Sequence, residues 1–385
     1  MKYRVFWKNP SYKPSPRLEK DTECDYLVVG AGVTGTLISY FLHKNGAKNI
    51  ILIEKQTSSN GASGKGAGII IPGGEADLGV MIRQSGKRAA VEYWKGMRFG
   101  VRAIEQIIKN EKIKCDFEKQ PTIYGQMPYK TYNDVKEEYE IEKKFGFPVQ
   151  FAKKNHIQKF VKTSLFKNAI IYKDGFSITP LKFTQNLLTK MKKYVKVYEN
   201  TPLLKLKGNI ATTPDGKISF DKIIFATDSY FVDRKIIPVK STILVTEKLT
   251  KEQLHSIGMA ERKMLFDSKK SYSYAKITTD NRLLVGGGSR RIRKKDDKTA
   301  LDNGQVQQIK KFLKKVFPQL NLRFDYAWSG TLAETAQCTP FIKISGNKIV
   351  AVAVGSHAGA ALTAKYVADK LTGRRSTFYN FIKLK

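Results

Sequence analysis

The residues best suited to chemistry are three glycines, Gly30, Gly32 and Gly35, and a glutamate, Glu54, nineteen positions after the last of them. The glycines lie in DYLVVGAGVTG, and Glu54 ends NIILIE. Between a strand and a helix, such glycines allow a tight turn, close approach of the backbone to a diphosphate, and close packing of helix on strand. A carboxylate at the tip of the next strand can accept the hydroxyl protons of an adenosine ribose. The spacing predicts a dinucleotide site, and the carboxylate disfavours NADP because it would repel a 2′-phosphate.

Three elements must position these residues. The pattern predicts a buried strand at Asp25–Val29, a helix at Val33–Asn45 and a second, parallel strand at Ile50–Ile53. The first amides of the helix and its positive dipole end would then face the diphosphate. Binding of the anion at this point requires no basic side chain.

The next segment bears on which dinucleotide is bound. Residues Ser58–Ile71 read SSNGASGKGAGIII, a run rich in glycine and alanine. Such a run lets the main chain lie along an extended ligand, as a flavin dinucleotide requires, although a flexible loop is the alternative. The glycine fingerprint alone does not separate NAD from FAD, and this segment favours FAD.

From Asp21 to Gly373 the chain resembles the FAD-dependent amine and amino-acid oxidoreductases, the family of D-amino-acid oxidase, glycine oxidase and sarcosine oxidase. The matching blocks, in the family's order, are GAGVTG with IEK, GASGKGAGI, DGFSITPLKF, VKVYENTPLLKLKG, TTPDGKISFDKIIFATDSY, RLLVGGGSR, WSGTLAETAQCTPFI and VAVGSHAGAALT. The leader FWKNPSYKPSPRLEKDTECDYLVVGAG is most similar to the branch that contains gamma-glutamylputrescine oxidoreductase.

The resemblance and the order of predicted elements together indicate an α/β fold. A Rossmann-like FAD-binding domain is interleaved with an α+β substrate domain built on an antiparallel sheet. The expected boundaries are a leader at 1–20, the FAD-binding domain at 21–112, 170–235 and 326–375, the substrate domain at 113–169 and 236–325, and a tail at 376–385.

The resemblance also implies which residues bind FAD. Leu203 matches a position whose backbone contacts adenine, and Ala226 and Thr227 lie where the chain passes the cofactor. The loop before the last helix would contact the flavin pyrimidine through backbone amides, although Ala358 and Ala360 stand where relatives often have glycine. The full set is Gly30, Gly32, Val33, Thr34, Gly35, Glu54, Lys55, Ser63, Ala67, Gly68, Leu203, Ala226, Thr227, Gly330, Gly355, Ser356, His357, Ala358, Gly359 and Ala360.

The chain departs from the family's pattern at two positions. Asp228, in the turn that follows Ala226 and Thr227, stands where relatives commonly have glycine. Cys338 lies near the region where some relatives attach flavin covalently, but its spacing does not match, so we expect noncovalent FAD.

Candidate catalytic residues come from SYSYAKIT. Period-two geometry places Tyr272, Tyr274, Lys276 and Thr278 on one face of a strand. This face could line a substrate pocket, with the tyrosines as hydrogen-bonding walls and Lys276 as a cation for a carboxylate or for oxygen reduction. A solvated sheet face is the alternative. His357 is a further candidate for direct contact with the flavin or the substrate. Packing within its own loop is the alternative.

The implied reaction is oxidation of a C–N bond. A neutral amine with its α C–H near flavin N5 can transfer a hydride and become an imine without an obligatory protein base. Small amines or amino acids are the expected substrates, and oxygen or an electron carrier the acceptor. The alternatives are a flavoenzyme of the same fold that acts on a macromolecule such as a modified tRNA base, and a flavin-binding protein without turnover.

Composition sets further limits. The 385 residues include 69 Lys and Arg against 34 Asp and Glu, a net charge of +35. The excess is scattered, and its densest run is residues 289–298, so a surface bias is favoured over a nucleic-acid partner. The three cysteines show neither metal-site nor disulfide spacing, so we expect reduced thiols and no metal. The leader has no apolar signal region and the chain no membrane-length apolar run, which predicts a cytoplasmic enzyme.

Overall fold

The structure is a computed structural model that describes residues 1–127, 134–231, 233–269, 271–292 and 301–375. The predicted tail 376–385 and most of the basic run 289–298 lie outside these ranges. The helices are α1 Val33–Lys44, α2 Ala62–Lys65, α3 Leu78–Ser85, α4 Lys87–Asn110, α5 Val135–Lys144, α6 Lys154–Phe160, α7 Pro180–Met191, α8 Lys251–Ser256, α9 Asn303–Val316 and α10 His357–Leu371.

The strands fill the intervals between the helices. They are β1 Thr22–Val29, β2 Ile50–Ile53, β3 Ile69–Ile70, β4 Glu118–Lys119, β5 Thr122–Gly125, β6 Gln150–Lys153, β7 Asn168–Tyr172, β8 Phe176–Ser177, β9 Val195–Tyr198, β10 Lys205–Lys207, β11 Ile210–Thr212, β12 Lys217–Phe225, β13 Ile237–Lys248, β14 Met264–Asp267, β15 Ser273–Ile277, β16 Arg282–Arg291, β17 Phe324–Glu334, β18 Phe341–Ser345 and β19 Lys348–Val352.

The first sheet has a parallel centre. Its order is β10-β11-β12-β1-β2-β9, and β19 also pairs in parallel with β12. The central strands are apolar on both sides, because α1, α4, α7 and α10 pack on one face while Leu18, Ala211 and Phe220 belong to the core on the other. The strand–helix–strand unit predicted around the glycines therefore lies in the middle of this sheet.

The second sheet is mainly antiparallel and runs in the order β17-β13-β16-β15-β14-β5-β7-β6. Its own apolar core includes Leu244, Leu265 and Val285, and α9 closes one face. A small third sheet joins β3, β8 and β4 between the two. The chain is therefore an α/β protein, as predicted.

Two strands of the second sheet extend across predicted domain boundaries. Strand β7 pairs with β5 and β6 up to Tyr172, so the second sheet does not end at residue 169. Strand β17 pairs with β13 up to Glu334, so the chain does not leave the second sheet at residue 326. In both cases the ladder of backbone hydrogen bonds holds the segment to the second sheet beyond the position predicted from motifs.

The glycine run 286–288 lies inside a strand, because β16 continues to Arg291. Gly287 and Gly288 have φ of 128° and 66°, and the pairing with β13 shifts register between Lys240 and Thr242. The run therefore forms a bulge inside a continuous strand.

The leader packs across both sheets. Lys2 pairs with Tyr326 of β17, and Trp7 Nε1 donates to the carbonyl of Gly66 at 2.8 Å. Further along, Tyr12 Oη and the backbone N–H of Ser15 donate to the carboxylate of Glu199. In the described part of the chain, no helix has the length and apolar character needed to cross a bilayer.

Candidate active site

The turn between β1 and α1 requires glycine at two positions. Gly30 has φ +106°, and a Cβ there would lie 2.7 Å from the carbonyl oxygen of Ala226. A Cβ on Gly35 would lie 1.9 Å from the carbonyl oxygen of Gly30. The two glycines therefore bring the start of α1 against the ends of β1 and β12.

The N-terminus of α1 is open toward a cavity. Its N-cap residue, Gly32, has no side chain, and no acidic residue lies in the first turn. Val33 N–H donates to Ser63 Oγ at 2.9 Å, and Gly32, Val33 and Thr34 all line the cavity. Unpaired amides and the positive dipole end make this a site for an anion such as a diphosphate.

Glu54 has a fixed orientation at the tip of β2. Its Oε2 accepts a hydrogen bond from Ala31 N at 2.9 Å, and its Oε1 accepts one from Gln56 N at 3.0 Å. Each carboxylate oxygen has a further lone pair that can accept a hydroxyl proton. Glu54 lines the same cavity, so its placement agrees with the predicted contact to a ribose.

The cavity has a volume of about 1370 Å³ and runs from Glu54 to the tyrosines of the second sheet. This exceeds the roughly 300–1,000 Å³ of a typical small-ligand site, as expected if cofactor and substrate share it. The predicted FAD-binding residues that line it are Gly30, Gly32, Val33, Thr34, Glu54, Lys55, Ser63, Ala67, Gly68, Leu203, Ala226, Thr227, Gly330, Gly355, Ser356, His357 and Ala360.

Three predicted FAD-binding residues do not reach the cavity wall. Gly35 packs under the turn, as its contact with Gly30 shows. Ala358 lies against α4, where a Cβ on Gly100 would be 2.1 Å from its carbonyl oxygen. Gly359 lies close to the carbonyl of Val354. These residues shape the site through packing, and their contact with FAD stays a prediction.

Asp228 takes the place of the expected glycine without opening the turn. Its φ is 53°, a left-handed conformation that aspartate tolerates better than most residues. Its Oδ1 accepts a hydrogen bond from Ala333 N at 3.1 Å, and burial raises the pKa of its carboxyl to about 6. The substitution thus ties the end of the first sheet to β17.

Of the predicted catalytic residues, Tyr272 and Tyr274 line the cavity. Burial holds the pKa of each phenol above its usual value, so both keep their proton at neutral pH and can donate hydrogen bonds. The predicted face of β15 is not solvated, since Lys276 is 1% exposed and Thr278 is 3% exposed.

Lys276 does not line the cavity as predicted. Its Nζ donates to Ser177 Oγ at 2.6 Å and to the carbonyls of Gly68 and Ile178, and it lies 5.3 Å from the centre of the Trp7 ring. Burial lowers the pKa of this amine to about 7. Lys276 is thus placed behind Gly68, where it joins β15 to the small sheet, and direct contact with a substrate carboxylate does not fit this position.

His357 begins α10 on the cavity wall and is 8% exposed. Its Nε2 has no hydrogen-bond partner within the described residues. Burial, with a smaller effect from Lys276, lowers the pKa of the imidazole to about 4. The ring is therefore neutral at pH 7 and places no charge on the cavity wall.

This buried imidazole predicts a pH-dependent loss of stability. The unfolded chain takes up a proton at His357 near pH 6.5, whereas the folded chain does so only near pH 4. The free energy of unfolding should therefore fall by about 3 kcal/mol, relative to His357→Gln, as the pH drops through this window. Chemical denaturation of both proteins at several pH values measures the difference.

His156→Gln is the matched control, because it removes an exposed imidazole on α6. It should follow the wild type at every pH. Parallel curves for the wild type and His357→Gln would contradict the assignment of a neutral, buried imidazole.

Several cavity residues were missed from the sequence. They are mainly acidic or aromatic: Glu75, Asp77, Trp94, Tyr124, Phe266 and Glu334. Glu75 and Asp77 lie in GGEAD, directly after the glycine-rich segment. Their position there was the signal from which they could have been predicted. The others lie on different elements, and only the tertiary fold brings them together. In the described ranges, no group of three or more His, Cys, Asp or Glu is placed to hold a metal ion.

The residues present fit FAD. The N-terminus of α1, the glycine turn, the oriented Glu54 carboxylate and the residue His357 all line one long cavity. Cys338 also lines it. That FAD is held without a covalent bond stays a prediction.

Comparison with known proteins gives the same result. The model of the family described as FAD dependent oxidoreductase matches residues 25–370. The chain is 27% identical over 383 residues to "Probable oxidoreductase OrdL" of Haemophilus influenzae, covering 93% of this chain and 85% of that protein. It is 24% identical over 391 residues to gamma-glutamylputrescine oxidoreductase of Escherichia coli, covering 97% and 89%.

Solved structures share the fold. Glycine oxidase from Geobacillus kaustophilus superposes with a TM-score of 0.78 at 18% identity, over 94% of this chain and 98% of that one. L-proline dehydrogenase from P. horikoshii gives 0.75 at 19% identity, over 94% and 96%. The match to the family model extends from β1 to the end of α10, and so includes every element that forms the cavity. The chain therefore belongs to the FAD-dependent oxidoreductase family, and it is an enzyme whose cofactor is FAD.

Proposed function

We propose that the chain oxidises a C–N bond of a small amine or amino acid. The observation that carries the proposal is one continuous cavity that joins the dinucleotide site of the first sheet to Tyr272 and Tyr274 of the second. The relatives named gamma-glutamylputrescine oxidoreductase and glycine oxidase support the same class of substrate. The segments predicted as FAD-binding and substrate domains would supply the two ends of this cavity.

FAD held in the cavity would supply N5 as the acceptor of a hydride from the carbon next to the substrate nitrogen. Loss of that hydride and of the N–H proton turns the amine into an imine, and water then converts the imine to a carbonyl compound and a free amine. The N–H proton passes to water, and water is also the nucleophile that hydrolyses the imine, so no nucleophilic side chain is required.

The residues of the chain orient the reactants and exclude water. The first amides of α1 would hold the diphosphate, and Glu54 the ribose. Tyr272 and Tyr274 remain protonated; Tyr272 donates its proton to Glu75, and Tyr274 can donate a hydrogen bond to the substrate. His357 is neutral and places no positive charge beside an amine that must itself be neutral to react.

Anaerobic mixing of the purified holoprotein with a panel of amines and amino acids tests this function. We expect at least one of them to remove the visible absorption of the bound flavin, with release of the matching carbonyl compound. Bound flavin that no small amine reduces would contradict the proposal and favour a macromolecular substrate or a protein without turnover. Admission of oxygen after reduction then shows whether oxygen or a separate carrier is the acceptor.

A further inference from the structure

Three aromatic rings form one wall of the cavity at the end away from Glu54. They belong to Phe266, Tyr272 and Tyr274, and all three line the cavity. The ring centres of Phe266 lie 5.7 Å and 5.8 Å from those of Tyr272 and Tyr274, which are 6.3 Å apart. The ring planes are inclined to one another by 39° to 52°, so the three rings form one aromatic cluster on this wall.

A carboxylate completes this surface. Glu75 Oε2 accepts a hydrogen bond from Tyr272 Oη at 2.8 Å. Its Oε1 lies against the loop before α10, because a Cβ on Gly355 would be only 2.2 Å away from it. Glu75 therefore bridges the two walls of the cavity. Burial raises the pKa of its carboxyl, and Glu334 adds to the rise, so a bound cation would relieve the cost of ionising it.

The balance of acidic and basic residues in the cavity is opposite to that of the chain. Six acidic and four basic residues line the cavity, although basic residues outnumber acidic ones 69 to 34 in the whole sequence. They are Glu54, Glu75, Asp77, Asp228, Asp267 and Glu334, and Lys55, Lys65, Lys269 and Arg291. The net charge of the protein therefore gives no guide to the substrate, because acidic residues outnumber basic ones in the cavity.

Aromatic faces next to a carboxylate are the chemistry that recognises an ammonium group. Such a site also favours the charged form of an amine. The amine that is oxidised must be neutral, so this site suits an ammonium group that does not react. We propose that a second ammonium group of the substrate is bound by Glu75, Phe266, Tyr272 and Tyr274, and that diamines are preferred over amino acids. This inference rests on the proposed amine oxidation.

Three probes of equal chain length test the preference. Putrescine, butylamine and γ-aminobutyrate share a primary amine and differ at the far end, which is an ammonium, a methyl or a carboxylate group. Under anaerobic conditions, the second-order rate constant of flavin reduction by the holoprotein should be at least about tenfold higher for putrescine than for butylamine, and lowest for γ-aminobutyrate.

The Glu75→Gln variant isolates the charge. Glutamine can still accept the hydrogen bond of Tyr272 but carries no negative charge. The ratio of the putrescine and butylamine rate constants should fall by about tenfold. Glu247→Gln is the matched control, because that carboxylate pairs with Arg323 away from the cavity, and it should leave the ratio unchanged.

A binding measurement separates this inference from the proposed function. Tetramethylammonium has no N–H bond and no free lone pair on nitrogen, so it cannot be oxidised to an imine. Its affinity for the holoprotein can be measured by calorimetry. Its affinity should be at least about tenfold lower in Glu75→Gln than in the wild type. If that loss is seen but no amine reduces the flavin, the ammonium site is supported and amine oxidation is not.

Two results would overturn the inference while amine oxidation stands. One is flavin reduction by butylamine or γ-aminobutyrate as fast as by putrescine. The other is binding of tetramethylammonium with equal affinity to the wild type and Glu75→Gln.

Discussion

Replacement of Gly32 by glutamate is expected to abolish FAD binding while the chain stays folded. A Cβ at this position meets only Ser63 within 4 Å, at 2.9 Å from its Oγ, and a serine side chain can rotate away. The remaining atoms of the glutamate would extend into the cavity in front of the first amides of α1. A carboxylate there would occupy the anion site and repel the diphosphate.

The expected effect is large. At a separation of about 4 Å and an effective dielectric constant of about 20, two like charges cost about 4 kcal/mol, or roughly a thousandfold in affinity. Titration of the apoprotein with FAD, followed by quenching of flavin fluorescence, measures the dissociation constant. The flavin content of the purified variant gives an independent value.

Two controls separate charge from bulk and from folding. Gly32→Ala adds one methyl group and should lose far less affinity. Lys207→Glu adds negative charge on the exposed strand β10 and should bind FAD as the wild type does. A Gly32→Glu protein that retains a full complement of flavin would show that the diphosphate does not bind at the N-terminus of α1.

Glu199→Leu is expected to lower the free energy of unfolding by about 2–6 kcal/mol, because it removes the acceptor of two buried backbone N–H groups. The side chain of Glu199 is fully buried. It accepts hydrogen bonds from the backbone N–H of Ser15, the backbone N–H of Ser58 and Tyr12 Oη. Leucine would leave both buried N–H groups unpaired, and each such group costs about 1–3 kcal/mol.

Chemical denaturation measures this loss, and Tyr12→Phe is its control. The phenylalanine removes one hydroxyl and leaves both backbone donors paired, so it should cost about 1 kcal/mol. A Glu199→Leu protein within 1 kcal/mol of the wild type would show that water or a shift of the leader replaces the lost acceptor. In that case the leader would contribute little to stability.

The dinucleotide half of the site could be predicted well from the sequence because its signals are local. Gly30, Gly32 and Gly35 lie within one turn, and Glu54 ends the next strand, so the order of residues along the chain fixes their order in space. The family resemblance, which the match over residues 25–370 confirms, extended this prediction to distant positions such as Leu203 and Gly355.

The substrate half could not be predicted in the same way. Strand periodicity placed Tyr274 and Lys276 on one face of β15, but it could not show that the small sheet covers only one of them. Glu75 contacts Tyr272, which is 197 residues away along the chain, and no local pattern indicates that pair. The pairing of β7 and β17 across residues 170 and 326 was likewise not visible in the sequence, since hydrogen bonds between distant strands decide where a sheet ends.

The interleaving of the two sheets has a consequence for how the molecule can be divided. The first sheet takes strands from both ends and the middle of the chain, and the leader contacts β17 at Lys2 and the end of β9 at Glu199. No single cut of the backbone would release either sheet as an intact piece. The two sheets that wall the cavity therefore depend on one another for their stability. A continuous fragment of the chain that is meant to contain only one sheet would lack strands that this sheet requires.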